Sequence, residues 1–199
     1  MGRKSNAPKR REQIVWALYD CLAEKGHEKV TIKEIAAQAN LPPGVIHYYF
    51  KSKDEIVSIL AEAIIEKYSK ILDLRVDEAS SSEQRIDLII NFLVDLIFDR
   101  PLNRVFYNLI QMAFEREQLH QVMKTMLKDY REKLAEVFIE AGAGQYSPLL
   151  GAALVAVTEG FSVQLMVDPK AIKRADVDKF ITQAVRDRLM AAERSRKTA

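Results

Sequence analysis

Across residues 31–53, TIKEIAAQANLPPGVIHYYFKSK, the chain can form two short helices and a tight corner, and little else. Thr31 is a capping residue type, and Glu34, three positions on, can reach back to complete a capping box. Ile35, Ala36 and Ala39 then recur at helical spacing. Asn40 tolerates the left-handed conformation that ends a helix, and Leu41 stands where it can plug the corner. Pro42 and Pro43 suit the start of a new helix, because a first-turn N–H has no intrahelical partner to lose. The helix that follows runs through Phe50 and is too short to stand alone, so it must dock on its neighbours. This is the layout of a helix-turn-helix.

The flanking sequence supplies what those helices need. Residues 9–25 carry an apolar stripe of Ile14, Ala17, Leu18, Cys21 and Leu22, with Gly26 as the expected stop. A trihelical unit follows, with Val30, Ile32, Ile35, Ala36, Leu41, Ile46 and Phe50 expected inside it. Ser52 and Glu55 form a second capping box and open a long fourth helix, whose stripe runs from Ile56 to Leu72. That helix is the natural mechanical link between the front of the chain and the rest. Further helices are expected over residues 83–99, 101–114, 120–141, 147–167 and 176–192. In the first of these, Asp87, Asn91 and Asp95 read as a solvated face. The helix from Ser147, expected as its cap, and Pro148 is apolar nearly all round and therefore buried on more than one side. Its Gly151, Ala152, Ala156 and Gly160 would let another helix approach closely. No strand-like alternation occurs, so the class is all-α, with nine or so helices. The division expected is 1–53 and 54–199.

Charge separates the same two parts. Residues 1–53 hold ten Lys/Arg and five Asp/Glu, a net of +5, whereas the remainder nets −3. A basic front on a mildly acidic body points to a polyanion contact confined to the front. Residues 1–9 add Arg3, Lys4 and Lys9 as a basic arm. The single cysteine, Cys21, excludes an internal disulfide framework and fits a cytoplasmic setting. No stretch reads as a membrane span and no signal peptide opens the chain, so no membrane contact is expected. Neither HExxH, a glycine-rich phosphate loop nor a Cys/His cluster is present, so no enzyme, metal or cofactor is expected.

The segment from Thr31 to Ile56 closely resembles the N-terminal signature of the TetR family of bacterial transcriptional repressors, with Thr31, Ile35, Ala36, Ala39, Gly44, Ile46, Tyr49, Phe50, Lys51, Ser52 and Lys53 as the firm matches. T-E-G-F at residues 158–161 matches a common C-terminal pattern more loosely. The resemblance implies an N-terminal DNA-binding domain and a C-terminal ligand-binding and dimerisation domain. It implies a homodimer through the last two helices on a roughly palindromic double-stranded operator, released by a small-molecule effector through a tilt of the fourth helix. The alternative is a regulator whose body only dimerises or binds a protein partner.

Carried over position by position, Thr31 corresponds to a phosphate-contacting cap and Lys33 to a basic residue reaching a base edge or phosphate. Pro43, Gly44 and Val45 open the reading helix, with Val45 able to touch a thymine methyl. His47 and Tyr48 point outward, and Tyr49 and Lys53 match phosphate-holding positions. Pro42 departs from the family's usual Ser or Thr, and Asn40 from a common glycine. For the effector, the candidate lining is Phe92, Phe106, Tyr107, Gln111 and Phe114, followed by Met126, Tyr130, Glu159 and Phe161. Asn108 and Thr158 are further polar groups on these apolar helices. Glu159 is the most suggestive, since burial would require a cationic ligand, an arginine or water beside it.

Overall fold

The computed structural model describes residues 6–197, so the basic arm at Arg3 and Lys4 and the last two residues of the chain lie outside it. Its helices are α1 (Ala7–Glu24), α2 (Ile32–Gln38), α3 (Pro43–Tyr49), α4 (Lys53–Asp77), α5 (Ser82–Phe98), α6 (Arg100–Ala113), α7 (Glu117–Glu140), α8 (Ser147–Val167) and α9 (Arg174–Lys197). Short 3₁₀ turns at His27–Lys29 and Gly144–Tyr146 complete the order, and no strand occurs among the described residues. The all-α architecture is as the sequence implies.

Two compact units form. One comprises residues up to Lys67 together with Arg104–Lys124; the other comprises Tyr68–Asn103 and the chain from Thr125 onward. α4, α6 and α7 each supply residues to both units.

In the first unit, α1, α2 and α3 pack on one another around Ile14, Leu18, Leu22, Ile35, Ala36, Ile46 and Phe50. Val30 joins this core, whereas Ile32 and Leu41, expected inside, are half-buried. Gly26 is not a left-handed stop, because α1 ends through Lys25 in an extended conformation and Gly26 itself has φ −67°.

The second unit is built on α5, whose inner face meets α8 and α9. Phe92, only 1 % exposed, lies in this core with Leu93, Phe138, Leu154 and Ile181. Asp87, Asn91 and Asp95 lie on the solvated side of α5 as expected, and the two aspartates are ion-paired there. Asp87 pairs with Arg186 at 3.2 Å, and Asp95 takes Arg75 at 2.7 Å and Arg174. Burial opposes ionisation of Asp95, but the two arginines together hold its carboxyl below the usual range. Asp99 caps α6 by accepting the Leu102 N–H at 3.0 Å, which leaves Pro101 in a first turn that asks nothing of its nitrogen.

Two expectations about α8 change. Ser147 is not its cap: it is fully buried, and its hydroxyl donates to the Gly144 carbonyl at 2.8 Å. The segment Gly144–Val167 is, by length and composition, long and apolar enough to cross a membrane, against the reading that no stretch is. The small and weakly polar residues that interrupt its apolar run hide this from a residue-by-residue count. One face of the helix, with Gly151, Leu154, Val155, Ser162 and Leu165, is buried in the unit. The small residues serve two different ends. A Cβ on Gly151 would stand 2.7 Å from the Arg131 carbonyl oxygen of α7, so this glycine is fixed by an internal crossing. Gly160 faces open space.

Candidate functional site

The corner between α2 and α3 is assembled from local bonds. The Thr31 hydroxyl accepts the Glu34 N–H at 3.3 Å, and the Glu34 carboxylate accepts the Thr31 N–H at 2.9 Å, closing the expected capping box. Lys25 pairs with the same carboxylate at 2.8 Å; that bond first, then the Thr31 N–H, holds the Glu34 carboxyl below its ordinary range. Asn40 adopts φ 53°, the left-handed turn that its side chain permits, and Leu41 N–H then returns to the Ala36 carbonyl at 2.9 Å. From α1, the Gln13 amide donates to the Ala39 carbonyl at 2.7 Å and satisfies one of the acceptors left at the end of α2.

α3 is seven residues long and starts with Pro42 as N-cap and Pro43 at its first position. No side-chain capping bond holds that end among the described residues. Ile46 is its buried anchor, while Pro43, Gly44, His47 and Tyr48 are exposed and Val45 and Tyr49 are half-buried. Tyr48 is 82 % exposed and meets the Tyr49 ring edge-on, with centroids 4.9 Å apart. Thr31 and Lys33 are exposed on α2. The outcome is a cationic and aromatic surface on a docked short helix. It has the chemistry to hold phosphate through Thr31 and Lys33, and to meet bases through Val45, His47 and Tyr48.

Lys53 stands apart from these. Its ammonium donates to the His27 carbonyl at 3.0 Å, and burial first, then neighbouring Arg116, pulls its pKa down. One of its donors is thus committed to tying the start of α4 to the 3₁₀ turn.

Two contributors carry no local sequence signal. Arg11 on α1 donates to the Tyr49 carbonyl and, at 3.2 Å, to Glu55. Its only clue was a cation at the foot of an apolar stripe, three and seven positions before Ile14 and Leu18. Asn108, grouped by sequence with the effector residues, is instead buried against α1. Its Oδ1 accepts the His27 N–H at 2.7 Å, and its Nδ2 donates to the Arg104 carbonyl at 2.8 Å and the Leu22 carbonyl at 3.3 Å.

The proposed effector residues fall into two groups. Phe106, Tyr107, Gln111 and Phe114 belong to the first unit, where Tyr107 and Gln111 are exposed on α6 and Phe114, in the turn just after it, is 81 % exposed. Phe92, Met126, Tyr130, Glu159 and Phe161 belong to the second. There Phe92 is core, Tyr130 and Phe161 pack against that core, and Phe161 meets Phe180 edge-on at 6.1 Å. The Tyr130 hydroxyl is buried with no hydrogen-bond partner among the described residues, and burial pushes its pKa up. Glu159 is half-buried; desolvation raises its pKa, against the pull of Arg131. Thr158 bonds back to the Leu154 carbonyl at 2.9 Å.

Comparison with known proteins matches this layout. A family model for bacterial regulatory proteins of the tetR family matches residues 14–59, and one for the C-terminal part of BetI-type transcriptional repressors matches residues 82–190. The nicotine-responsive transcriptional repressor HdnoR of Paenarthrobacter nicotinovorans is 22% identical over 189 residues, covering 90% of this chain and 95% of that one. A regulator from Saccharomonospora viridis, solved in complex with choline, superposes with TM-score 0.82 at 14% identity over 90% of this chain and 96% of its own. The regulator FadR of Bacillus subtilis, solved with stearoyl-CoA, gives TM-score 0.73 at 20% identity over 86% and 95%.

Proposed function

The chain belongs to the TetR family of bacterial transcriptional regulators, and on that premise we propose that it is a cytoplasmic homodimeric repressor that binds a roughly palindromic operator and releases it when a small molecule occupies its second unit. The observation that carries the reading is the docked seven-residue α3, with His47 and Tyr48 outward and Thr31 and Lys33 beside it.

The dimer reading rests on α8 and α9. Leu149, Ala153, Ala156, Gly160, Val163 and Val167 alternate at spacings of four and three along the exposed side of α8. Leu149 is 65 % and Val167 84 % exposed, a costly arrangement for an isolated chain. Such a seam fits a second helix, and Gly160 leaves room for close approach. Phe180 and Ala184 continue the exposed apolar surface on α9. Two copies meeting here by a two-fold axis would give a four-helix contact and present two α3 helices to one duplex.

Effector release is a population shift: a ligand weakens operator binding by as much as it prefers the non-binding state. α4, α6 and α7 each belong to both units and are the candidate levers. Relatives in this fold hold ligands as different as choline and stearoyl-CoA, so the family does not choose the effector. Within the second unit, the carboxyl of Glu159 favours a cationic group and the Tyr130 hydroxyl offers a donor.

The test is operator binding by the purified protein, followed by titration of ligands. It should prefer its own upstream DNA over random duplex at moderate salt, and a bound organic cation should raise its melting temperature and release that DNA. Equal affinity for both duplexes would sink the repressor reading. Operator preference with no thermal shift across cations, acyl-CoAs and other metabolites would favour a body that only dimerises or binds a protein.

A further inference from the structure

We infer that Arg11 is the positioning residue of the reading helix, holding α3 from its C-terminal end; the inference rests on the DNA-binding reading above. Arg11 lies on α1, 38 residues before Tyr49, the last residue of α3. One guanidinium nitrogen donates to the Tyr49 carbonyl, and a second donates to Glu55 Oε1 at 3.2 Å. The guanidinium carbon stands 4.2 Å from the centroid of the buried Phe50 ring. The other Glu55 oxygen accepts the Lys51 N–H at 2.7 Å, and the Glu55 N–H itself is held by the Ser52 hydroxyl at 3.1 Å. The three residues that follow α3 are therefore gripped from both sides.

A seven-residue helix has fewer than two turns and little stability of its own. Its last carbonyls have no intrahelical donor, and its C-terminal end carries partial negative charge. A cation there answers both needs. At the opposite end Pro42 contributes no side-chain capping bond. So α3 is anchored where it leaves the surface and uncapped where a helix-turn-helix enters the groove. A small error at the anchor would swing His47 and Tyr48 across the bases.

The arrangement also explains the residue type. A planar fork can donate to a backbone carbonyl and a carboxylate at once while stacking on a ring, and an ammonium cannot do all three. Arg11 is half-exposed and basic, so the rival role is direct phosphate contact; against it, both terminal guanidinium nitrogens already donate within the protein.

The two roles separate by salt. A duplex selected by the wild-type protein from a random-sequence pool, and an unselected duplex of equal length, are titrated with the full-length protein over a range of salt. Wild type, Arg11→Met, Arg11→Lys and Glu55→Gln are compared. Positioning predicts that Arg11→Met loses about tenfold or more on the selected duplex, the scale of one charge-assisted hydrogen bond. Binding to the unselected duplex and the salt slope should stay as in wild type. Arg11→Lys and Glu55→Gln should fall between, and amide exchange over α3 should quicken in all three while that of α1 is unchanged. If Arg11→Met weakens both duplexes alike and lowers the salt slope by about one, Arg11 is a phosphate contact and the proposal fails. Full activity of Arg11→Lys would also overturn it, since charge alone would then suffice. Should Arg11→Met not fold, the near-isosteric Glu55→Gln decides: an unchanged preference for the selected duplex refutes the lock. Failure of the wild type to select any duplex would fall on the DNA-binding reading instead.

Discussion

The first unit is held together at its working corner by side chains reaching distant backbone, whereas the second is held by apolar volume. In that unit the decisive bonds join Gln13, Arg11 and Asn108 to backbone groups 26–86 positions away, at the end of α2, the end of α3, and the end of α1 with the turn after it. In the second unit Phe92 and Phe138 are sealed among leucines, isoleucines and valines, and ion pairs such as Asp87–Arg186 and Asp95 with its two arginines lie at the rim. The difference follows from helix length. α2 and α3 are seven residues each, and most of their backbone groups are terminal and need outside partners. The helices of the second unit are long enough to satisfy most of their backbone groups internally, and what remains is chiefly an apolar stripe to bury. Geometry is thus fixed by hydrogen bonds where a surface must be presented accurately, and stability comes from packing where the chain must remain folded.

The comparison is sharpened most by Phe92→Ala. Removing a fully buried aromatic ring from the second core should cost about 3–5 kcal/mol in chemical denaturation. If the loss were below about 1 kcal/mol, the core would have to collapse around the hole, and packing could not be what holds this unit.

Next comes Asn108→Leu, which keeps the branched outline of the side chain and removes its hydrogen bonds to the His27 N–H and to the Leu22 and Arg104 carbonyls. It leaves the His27 N–H without its acceptor in a part-buried corner, at a cost of about 1–3 kcal/mol. A loss as large as that of Phe92→Ala would erase the contrast between the units. No loss at all would mean that water replaces the amide and the bonds are ornamental.

What was legible in the sequence divides along the same line. The Thr31–Glu34 box, the left-handed Asn40, the Pro43 helix start and the stripes of α1 and α5 are written within a few residues of one another, so spacing reveals them. Asn108 and Arg11 were not legible in their roles, because a bond across 81 or 38 residues has no period. Spacing puts Asp87 and Asp95 on an outer face, where they lie, but their arginine partners on α4 and α9 were not legible because they stand far along the chain. Ser147 was misjudged because the 3₁₀ turn before it already starts the helix, leaving the hydroxyl to turn back on Gly144. The position of α3 at the surface was readable, but its lock was not.

The smallest effect expected is that of Pro42→Ser, and here two terms of similar size oppose. Serine would supply the side-chain cap that α3 lacks, worth about 0.5–2 kcal/mol at a helix N-terminus. Proline at φ −60° is unstrained, so its loss frees the unfolded chain and costs about 0.4–1 kcal/mol. Pro43 follows and already restricts residue 42 to the extended region, which lowers the entropy that serine can regain. The net change in unfolding free energy should be small and stabilising, within about 1 kcal/mol. Operator affinity is the sharper readout. If α3 is set from its Arg11 end, a cap at the other end should leave the preference for the selected duplex over a random one within about threefold of wild type. A tenfold rise would mean that the uncapped end, and not the C-terminal lock, limits how well the helix is placed.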